Sequence, residues 1–215
     1  MKRIGLTQRS HPVQGYAERR DMLDQRWAAL IERLGGCPLP LSNSVRDVDA
    51  YLDALGLDAL ILTGGNDLSM LPDAADGAPE RDRFEAEAYR HFLQRGKPVL
   101  GVCRGAQLIN HLCDGRLVRA PGHAGTRHEL VWVDTPLACW DRPEEVNSYH
   151  GWAIPADGLA PGLEALAWAP DGTVEAFRSL QARVNAIVWH PERETELAPA
   201  TVAFLSTALG LTIAR

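Results

Sequence analysis

The chain has 215 residues, 46% of them hydrophobic, and a formal net charge of −6. The length and apolar content suit one domain over residues 1–215, and the acidic balance argues against a general nucleic-acid binder. No apolar run approaches the roughly 20 residues that span a bilayer, and "MKRIGLTQRS" does not read as a signal peptide. We therefore expect a cytoplasmic protein that binds neither membrane nor nucleic acid.

The first half of the chain alternates strand and helix patterns. Strands are predicted at "KRIGLTQR" (2–9), "CPLPLS" (37–42), "LDALILTGG" (57–65) and "PVLGV" (98–102). Helices are predicted at "RRDMLDQRWAALIERLGG" (19–36), "SVRDVDAYLDAL" (44–55), "RDRFEAEAYRHFLQRG" (81–96) and "RGAQLINHLC" (104–113), with a turn-rich acidic loop at 72–80. This alternation is typical of a largely parallel sheet covered by helices on both faces.

Short strand-like segments dominate the second half. They are "GRLVRA" (115–120), "HELVWVD" (128–134), "EVNSYHGWAI" (145–154), "LEALAWA" (163–169), "TVEAFRS" (173–179) and "VNAIVWH" (184–190). Pro170-Asp171-Gly172 is a good hairpin turn, and "APATVAFLSTALG" (198–210) closes the chain as a helix. The predicted fold class is α/β, with a small antiparallel region in the second half.

A cysteine lies between two glycines where a strand turns into a helix. In "GVCRG", Gly101 and Gly105 flank Cys103 in the G-x-C-x-G pattern of a nucleophile elbow. Glycine suits the tight backbone approach, and the helix N-terminus favours a thiolate. The alternative is a buried thiol in a glycine-rich turn.

A nucleophilic cysteine needs a base and an oxyanion hole. An apolar strand delivers His190, and Glu192 lies two residues later, on the same side of an extended segment. We predict that His190 is the base and that Glu192 orients it, a surface ion pair being the alternative. For the oxyanion hole we predict the backbone N–H groups of Arg104 and of Gly65 in "LTGGND".

The remaining cysteines and histidines show no metal-ligand spacing. We expect Cys37, Cys113 and Cys139 to be small buried apolar residues, since none forms a C-x-x-C pair. We expect His11, His91 and His111 to be solvated or packed, whereas His123 and His128 either line a pocket or belong to a loop. The sequence therefore predicts no metal and no cofactor.

Four segments in order, "ILTGGND", "RDRFEAEAYRHFLQRGKPVLGVCRGAQLIN", "VNSYHGW" and "VWHPE", resemble the class I glutamine amidotransferase family. The resemblance is closest to its gamma-glutamyl hydrolase branch (peptidase C26 type), in particular to gamma-glutamyl-GABA hydrolases. It implies a flavodoxin-like sandwich, a Cys103–His190–Glu192 triad and a thioester to a gamma-glutamyl group.

The same resemblance implies a glutamyl-binding pocket. Its residues would be Gln107, Asn147, Ser148, Tyr149 and His150. Gamma-glutamyl-GABA hydrolases usually have N-S-x-H-x-Q in this segment, and here Trp152 stands in the place of the glutamine. This departure concerns the side of the pocket that holds the leaving group.

The N-terminal third resembles a narrower group. "IGLTQR", "YAERRDMLDQRW" and "GGNDLS" are similar to gamma-glutamyl-CDP-amidate hydrolases, which release CDP-amidate for phosphoramidate decoration of bacterial surface polysaccharides. Arginine forks suit phosphate, and aromatic rings stack on bases. The candidates are Arg9, Arg19, Arg20 and Arg26 for phosphate and Tyr16, Trp27 and Trp152 for the base; the alternatives are a solvated helix face for the arginines and core packing for Trp27.

The resulting prediction is a cofactor-free cysteine hydrolase of a gamma-glutamyl amide or phosphoramide bond, with gamma-glutamyl-CDP-amidate as preferred substrate and no obligatory synthetase partner. Three alternatives stay open. The first is a gamma-glutamyl-GABA-type hydrolase of polyamine catabolism. The second is a glutaminase subunit that passes ammonia to a separate synthetase, and the third is a catalytically silent binding module that kept the fold.

Overall fold

The computed structural model describes residues 1–133 and 144–212. The first half contains β1 (Lys2–Leu6), β2 (Arg9–Pro12), β3 (Arg19–Met22), α1 (Arg26–Arg33), β4 (Gly36–Pro40), α2 (Val48–Leu55), β5 (Ala59–Leu62), α3 (Pro79–Gln94), β6 (Val99–Val102) and α4 (Arg104–Leu112). The second half contains β7 (Val118–Arg119), β8 (Ala124–Glu129), β9 (Val131–Trp132), β10 (Glu145–Tyr149), β11 (Trp152–Pro155), β12 (Leu163–Trp168), β13 (Thr173–Ser179), β14 (Val184–Ile187) and α5 (Pro199–Ala208), with 3₁₀ turns at Ala156–Gly158 and Pro191–Arg193.

A parallel block forms the centre of the main sheet. Its strands run in the order β4-β1-β5-β6-β14, and every neighbouring pair is parallel. Carboxyl ends of parallel strands meet at one sheet edge, so the segments after β5, β6 and β14 lie close together. These segments carry the "GGND" turn, the cysteine elbow and the His-Pro-Glu sequence.

Alternating side chains of these strands build two hydrophobic cores. In β5, Leu60 and Leu62 pack in the core under α2, α3 and α4, whereas Ala59 and Ile61 pack in the core under α1 and α5. This period of two is what a strand covered on both faces requires. The predicted class, a mostly parallel sheet between helical layers, is confirmed.

The second half supplies the antiparallel strands. β13 pairs antiparallel with β14, β12 and β11, while β8 and β10 form a separate two-stranded sheet. The predicted hairpin at residues 170–172 joins β12 to β13, and Gly172 has a positive φ of 86° there. The predicted antiparallel region is therefore confirmed, although residue 134 of the "HELVWVD" segment lies outside the described residues.

The N-terminal third differs from the prediction in two places. The predicted strand 2–9 ends at Leu6, and Arg9 begins a second strand. The predicted helix 19–36 is wrong over its first turns, since β3 occupies Arg19–Met22 and the helix covers Arg26–Arg33. The reason is pairing: β2 and β3 form an antiparallel hairpin with Arg9 opposite Met22, and the side chain of Met22 is 41% exposed.

Two smaller expectations are also settled by burial. Cys37 and Cys113 are partly exposed rather than buried, because they lie near the edge of the sheet and at the end of α4. Cys139 lies outside the described residues.

Among the helices that the structure describes, none is both long and apolar enough to cross a membrane.

Candidate active site

Cys103 is held in a sharp turn between β6 and α4. Its backbone has φ 52° and ψ −105°, a conformation that side-chain-bearing residues rarely adopt. The turn packs tightly, because a Cβ added at Gly105 would lie 2.0 Å from the carbonyl oxygen of Leu62. The N–H of Cys103 donates to the carbonyl of Ile187 at 2.9 Å. The elbow is therefore fixed against β5 and β14, with the thiol at the N-terminus of α4.

His190 lies beside this thiol, three residues after the end of β14. Its Nδ1–H donates to Glu192 Oε1 at 2.7 Å, and both side chains are buried. The pairing was predicted from an extended segment, but Glu192 lies in the 3₁₀ turn Pro191–Arg193, which folds its carboxylate back to the ring. The donated Nδ1–H leaves Nε2 for the thiol.

The pKa values of this pair shift in opposite directions. Burial disfavours the imidazolium of His190, but the charge and hydrogen bond of Cys103 and the contact with Glu192 outweigh it and raise the pKa to about 9. Burial also raises the pKa of Cys103, but His190, by charge and hydrogen bond, brings it below its ordinary 9.0. The structure thus favours a thiolate–imidazolium pair.

The turn after β5 faces this pair. A Cβ added at Gly64 would lie 2.5 Å from His190 Cε1, so only glycine fits there. Gly65 has a φ of +87° and lines the pocket that contains Cys103. The buried Arg81 holds the turn from below, donating to the carbonyls of Thr63 at 2.8 Å, Gly64 at 3.2 Å and Gly65 at 2.8 Å.

A pocket of about 300 Å³ opens over Cys103. Of the residues predicted to bind substrate, it is lined by Gln107, Tyr149, His150, Trp152 and Arg9. Gln107 donates to the carbonyl of Trp152 at 2.7 Å, one helical turn after the elbow. These residues come from α4, from the segment around β10 and β11, and from the N-terminal hairpin.

Other predicted residues lie elsewhere. Asn147 and Ser148 are buried outside the pocket lining, and Asn147 instead bonds the backbone of His190. Arg19 pairs with Glu80 beside a separate cavity, and Arg20 pairs with Glu18 in solvent. Neither arginine of β3 lines the pocket that contains Cys103.

The remaining candidates for the leaving group separate in the same way. Arg26 pairs with Asp24 at 2.6 Å, and Tyr16 is 59% exposed and outside the pocket lining. Trp27 is 2% exposed and packs in the core, as its alternative predicted.

Sequence reasoning missed Arg193 and the role of the Arg104 side chain. Arg193 lines the pocket and stacks on Tyr149, with its guanidinium carbon 4.3 Å from the ring centroid. Arg104 is buried and its side chain pairs with Glu85 and Asp82. Glu85 also accepts from Arg81 Nε at 2.8 Å, so an ionic cluster connects the "GGND" turn with the elbow. The only sign of this cluster in the sequence is the charged pair Arg81 and Glu85 on a predicted amphipathic helix.

A cluster of possible metal ligands lies next to the pocket. The ligand atoms of His123, His128, His150 and Glu175 all lie within 4.8 Å of one another. The sequence predicted no metal because these residues are far apart along the chain. Antiparallel pairing of distant strands brings them together, which spacing alone does not reveal.

Comparison with known proteins agrees with this architecture. The sequence profile of the Peptidase C26 family matches residues 4–192. The chain is 34% identical over 198 residues to the gamma-glutamyl-CDP-amidate hydrolase of Campylobacter jejuni subsp. jejuni serotype O:2, covering 90% of this chain and 92% of that protein.

Two further similarities are more distant. The chain is 30% identical over 156 residues to the glutamine-hydrolysing GMP synthase of Roseobacter denitrificans, covering 67% of this chain and 27% of that protein. A solved glutamine amidotransferase from Thermotoga maritima shares the fold, with a TM-score of 0.62 at 12% identity, over 89% of this chain and 76% of that one. From the family match over residues 4–192, the chain belongs to the Peptidase C26 family and is a hydrolase of amide C–N bonds.

Proposed function

We propose that this hydrolase cleaves a gamma-glutamyl amide or phosphoramide bond through a thioester on Cys103, with His190 and Glu192 as its partners. The observation that carries the proposal is the buried Cys103–His190–Glu192 arrangement, in which opposite pKa shifts favour a thiolate beside an imidazolium. Such a pair supplies both the nucleophile and the acid that cysteine hydrolysis needs.

The reaction follows from the positions of these groups. The thiolate of Cys103 attacks the gamma-carbonyl carbon of the substrate, and the carbonyl oxygen becomes an oxyanion. When the C–N bond breaks, the imidazolium of His190 gives its Nε2 proton to the leaving nitrogen. Neutral His190 then takes a proton from water, whose oxygen attacks the thioester. The C–S bond breaks, glutamate leaves, and the thiolate–imidazolium pair is restored.

The oxyanion would bind the backbone N–H groups of Gly65 and Arg104. A trans peptide directs its N–H opposite to its carbonyl. Because the carbonyl of Gly64 accepts from Arg81 beneath the turn, the N–H of Gly65 points away from Arg81. Gly65 and Arg104 both line the pocket with Cys103, which supports this role.

The leaving group would lie at the mouth of the pocket, against Arg9 and Arg193. Both guanidinium groups line the pocket, and a Cβ at Gly65 would lie 1.7 Å from Arg9 Nε. Within residues 1–133 and 144–212, Arg9 forms no ion pair, so its charge is available to an anion. Two cationic forks fit a diphosphate better than a plain amide. This favours gamma-glutamyl-CDP-amidate, the substrate named for the Campylobacter relative.

An assay of purified protein on glutamine, gamma-glutamyl-GABA, gamma-glutamyl putrescine and gamma-glutamyl-CDP-amidate tests the substrate. We expect the highest kcat/KM on the last, and activity confined to the other three would contradict the proposal. Replacement Cys103→Ala should lower turnover by about 10⁴-fold or more and abolish the glutamyl adduct. Retained hydrolysis in that variant would overturn the mechanism.

Matched arginine variants test the leaving-group contacts. We expect Arg9→Ala to raise KM for gamma-glutamyl-CDP-amidate while leaving glutamine hydrolysis unchanged. Arg20→Ala is the control, because Arg20 lies on the same hairpin but pairs with Glu18 in solvent. A phosphate contact at Arg9 would be contradicted if Arg9→Ala and Arg20→Ala lost activity on gamma-glutamyl-CDP-amidate equally. It would also be contradicted if Arg9→Ala lost as much activity on glutamine as on gamma-glutamyl-CDP-amidate.

The second candidate is a glutaminase that supplies ammonia to a separate synthetase. The observation in its favour is the 30% identity to one region of a glutamine-hydrolysing GMP synthase, of which the chain spans about a quarter. Glutamine turnover that rises when a synthetase is added would support it. High activity on gamma-glutamyl-CDP-amidate without any added protein would exclude it as the main function.

A further inference from the structure

We propose that His123, His128, His150 and Glu175 form a binding site for one Zn²⁺ ion in the wall of the catalytic pocket, which His150 also lines. The four residues come from different places in the chain: His128 lies in β8, His123 precedes it, His150 follows β10, and Glu175 lies in β13. Three imidazoles and one carboxylate are a donor set that suits zinc.

The three distances from Glu175 lie close to the edges of a coordination tetrahedron. From Glu175 Oε1, His150 Nε2 lies at 3.4 Å, His128 Nε2 at 3.6 Å and His123 Nδ1 at 3.8 Å. Bonds of about 2.0–2.2 Å to a central Zn²⁺ place tetrahedral ligands about 3.3–3.6 Å apart. Glu175 Oε1 is therefore too far from the three nitrogens for short charge-assisted hydrogen bonds but near the spacing of ligands around one ion, and all four ligand atoms lie within 4.8 Å of one another.

The opposite nitrogen of each ring is held by an acceptor. His123 Nε2 donates to Asp171 Oδ2 at 2.9 Å, His128 Nδ1 donates to the Glu129 carbonyl at 3.0 Å, and His150 Nδ1 donates to the Trp152 carbonyl at 2.9 Å. In the neutral ring each of these bonds places the proton on the far nitrogen, so that the near nitrogen would present a lone pair to a metal ion. Metal-binding histidines are oriented in this way by a carboxylate or a carbonyl.

The near atoms have no other partner. Within the described part of the chain, His123 Nδ1, His128 Nε2, His150 Nε2 and both carboxylate oxygens of Glu175 are buried without a hydrogen bond. Glu175 is 1% exposed, and a buried carboxylate without a hydrogen bond is unfavourable unless a nearby positive charge compensates it. Three inward lone pairs cannot offset that charge, whereas a divalent cation at their centre does.

The site would connect two sheets. His128 belongs to the small β8–β10 sheet, and Glu175 belongs to β13 of the main sheet. His150 follows Tyr149, whose ring lies 5.8 Å from the ring of His190. With four protein ligands the ion has no open position, which is typical of a structural site. A bound Zn²⁺ would therefore fix the wall of the pocket rather than activate water.

Zinc binding should be measured on the full chain after removal of metal with a chelator, by competition between the protein and a chromogenic chelator. The Cys103→Ala background is used, because the thiol of Cys103 with His190 is another place where zinc could bind. It also makes the result independent of the proposed reaction. We expect one Zn²⁺ per chain, a rise in Tm on binding, and a tetrahedral Co²⁺ spectrum when Co²⁺ replaces zinc.

Variants identify the ligands. Glu175→Gln and His128→Gln should each weaken binding by about 100-fold or more, and Asp171→Asn, which removes only the acceptor of His123, by about 10- to 100-fold. His11→Gln is the control, an exposed histidine on β2 outside the cluster. If Glu175→Gln fails to fold, His128→Gln and Asp171→Asn at the surface still decide the question. Absence of stoichiometric zinc, or equal affinity in the ligand variants and in His11→Gln, would overturn the proposal.

Discussion

The side-chain amide of Asn147 forms two hydrogen bonds with the backbone of His190, one through its oxygen and one through its nitrogen. Oδ1 accepts from the His190 N–H at 2.9 Å, and Nδ2 donates to the His190 carbonyl at 2.8 Å. Asn147 Nδ2 also donates to Glu194 at 2.6 Å. An amide is the side chain that offers an acceptor and a donor together. Asn147 is therefore a positioning residue for the proposed base.

Replacement Asn147→Ala should lower kcat for gamma-glutamyl substrates by about 10- to 100-fold, by analogy with other residues that orient a functional imidazole. KM should change little, because Asn147 does not line the pocket. Steady-state kinetics give both values, and a thermal melt checks that the variant is folded. A rise in KM with unchanged kcat would show that Asn147 contacts the substrate instead.

The pH dependence of kcat/KM should follow the thiolate–imidazolium pair. The rate should fall as pH drops through the lowered pKa of Cys103, because the thiolate is lost. It should also fall as pH rises through about 9, because His190 then loses the proton that it gives to the leaving nitrogen. A profile measured on glutamine or gamma-glutamyl-CDP-amidate checks both limbs.

The variant Glu192→Gln assigns the alkaline limb. Glu192 is one of the causes that raise the pKa of His190, so its neutral analogue should move that limb to lower pH. The acid limb has a different origin, the thiol of Cys103. An alkaline limb that does not move would show that another group controls it.

The buried Glu85 should contribute strongly to stability. It accepts from Arg81 and Arg104, and removing the charge of a buried pair costs about 3–5 kcal/mol in the free energy of unfolding. Burial alone would raise the pKa of Glu85, but the two arginines lower it below 4.5. This stabilisation is present above pH 4.5 and is lost as pH falls through the lower folded pKa.

Urea unfolding of Glu85→Gln and of the wild-type protein across acidic pH measures this effect. We expect the difference in unfolding free energy to shrink as pH falls. The control is Glu87→Gln on the same helix, where Glu87 pairs with Arg83 at 3.2 Å in partial exposure and should contribute about 1 kcal/mol or less. Equal losses in the two variants would contradict the assigned role.

A methyl group at Gly64 should damage activity more than folding. Its carbon would lie 2.5 Å from His190 Cε1 and 3.4 Å from Cys103 Cβ, so the imidazole must move. Displacement of a reacting group by about 1 Å lowers rates by about 100-fold. We expect Gly64→Ala to lose kcat/KM by that factor. The assay is run beside a thermal melt, and wild-type activity in a folded variant would contradict the packing.

Strand and helix periodicity was enough to predict the parallel core and the elbow. Leu60, Leu62 and Val99 lie in continuous apolar runs, which predict buried strands. The glycines around Cys103 indicate a turn that few other residues permit. The pairing of His190 with Glu192 was also predictable from proximity in sequence, although its geometry is a 3₁₀ turn. Such local features depend on neighbours along the chain.

Features that depend on distant segments were not predictable. The charged residues of β3 look like a helix start, and only pairing with β2 identifies them as a strand. Asn147 and His190 are 43 residues apart, and the histidine cluster joins positions from three strand regions. Nothing in the local sequence of His123 or His128 records that Glu175 lies opposite them.

The backbone of Cys103 has a further consequence. A residue with a side chain at φ 52° and ψ −105° costs about 1–3 kcal/mol of conformational strain, and glycine would relieve much of it. Selection for thermal stability alone would therefore favour glycine at position 103. A family member with glycine at this position would be more stable but would lack the nucleophile. The residue at position 103 therefore distinguishes active from inactive members of the family.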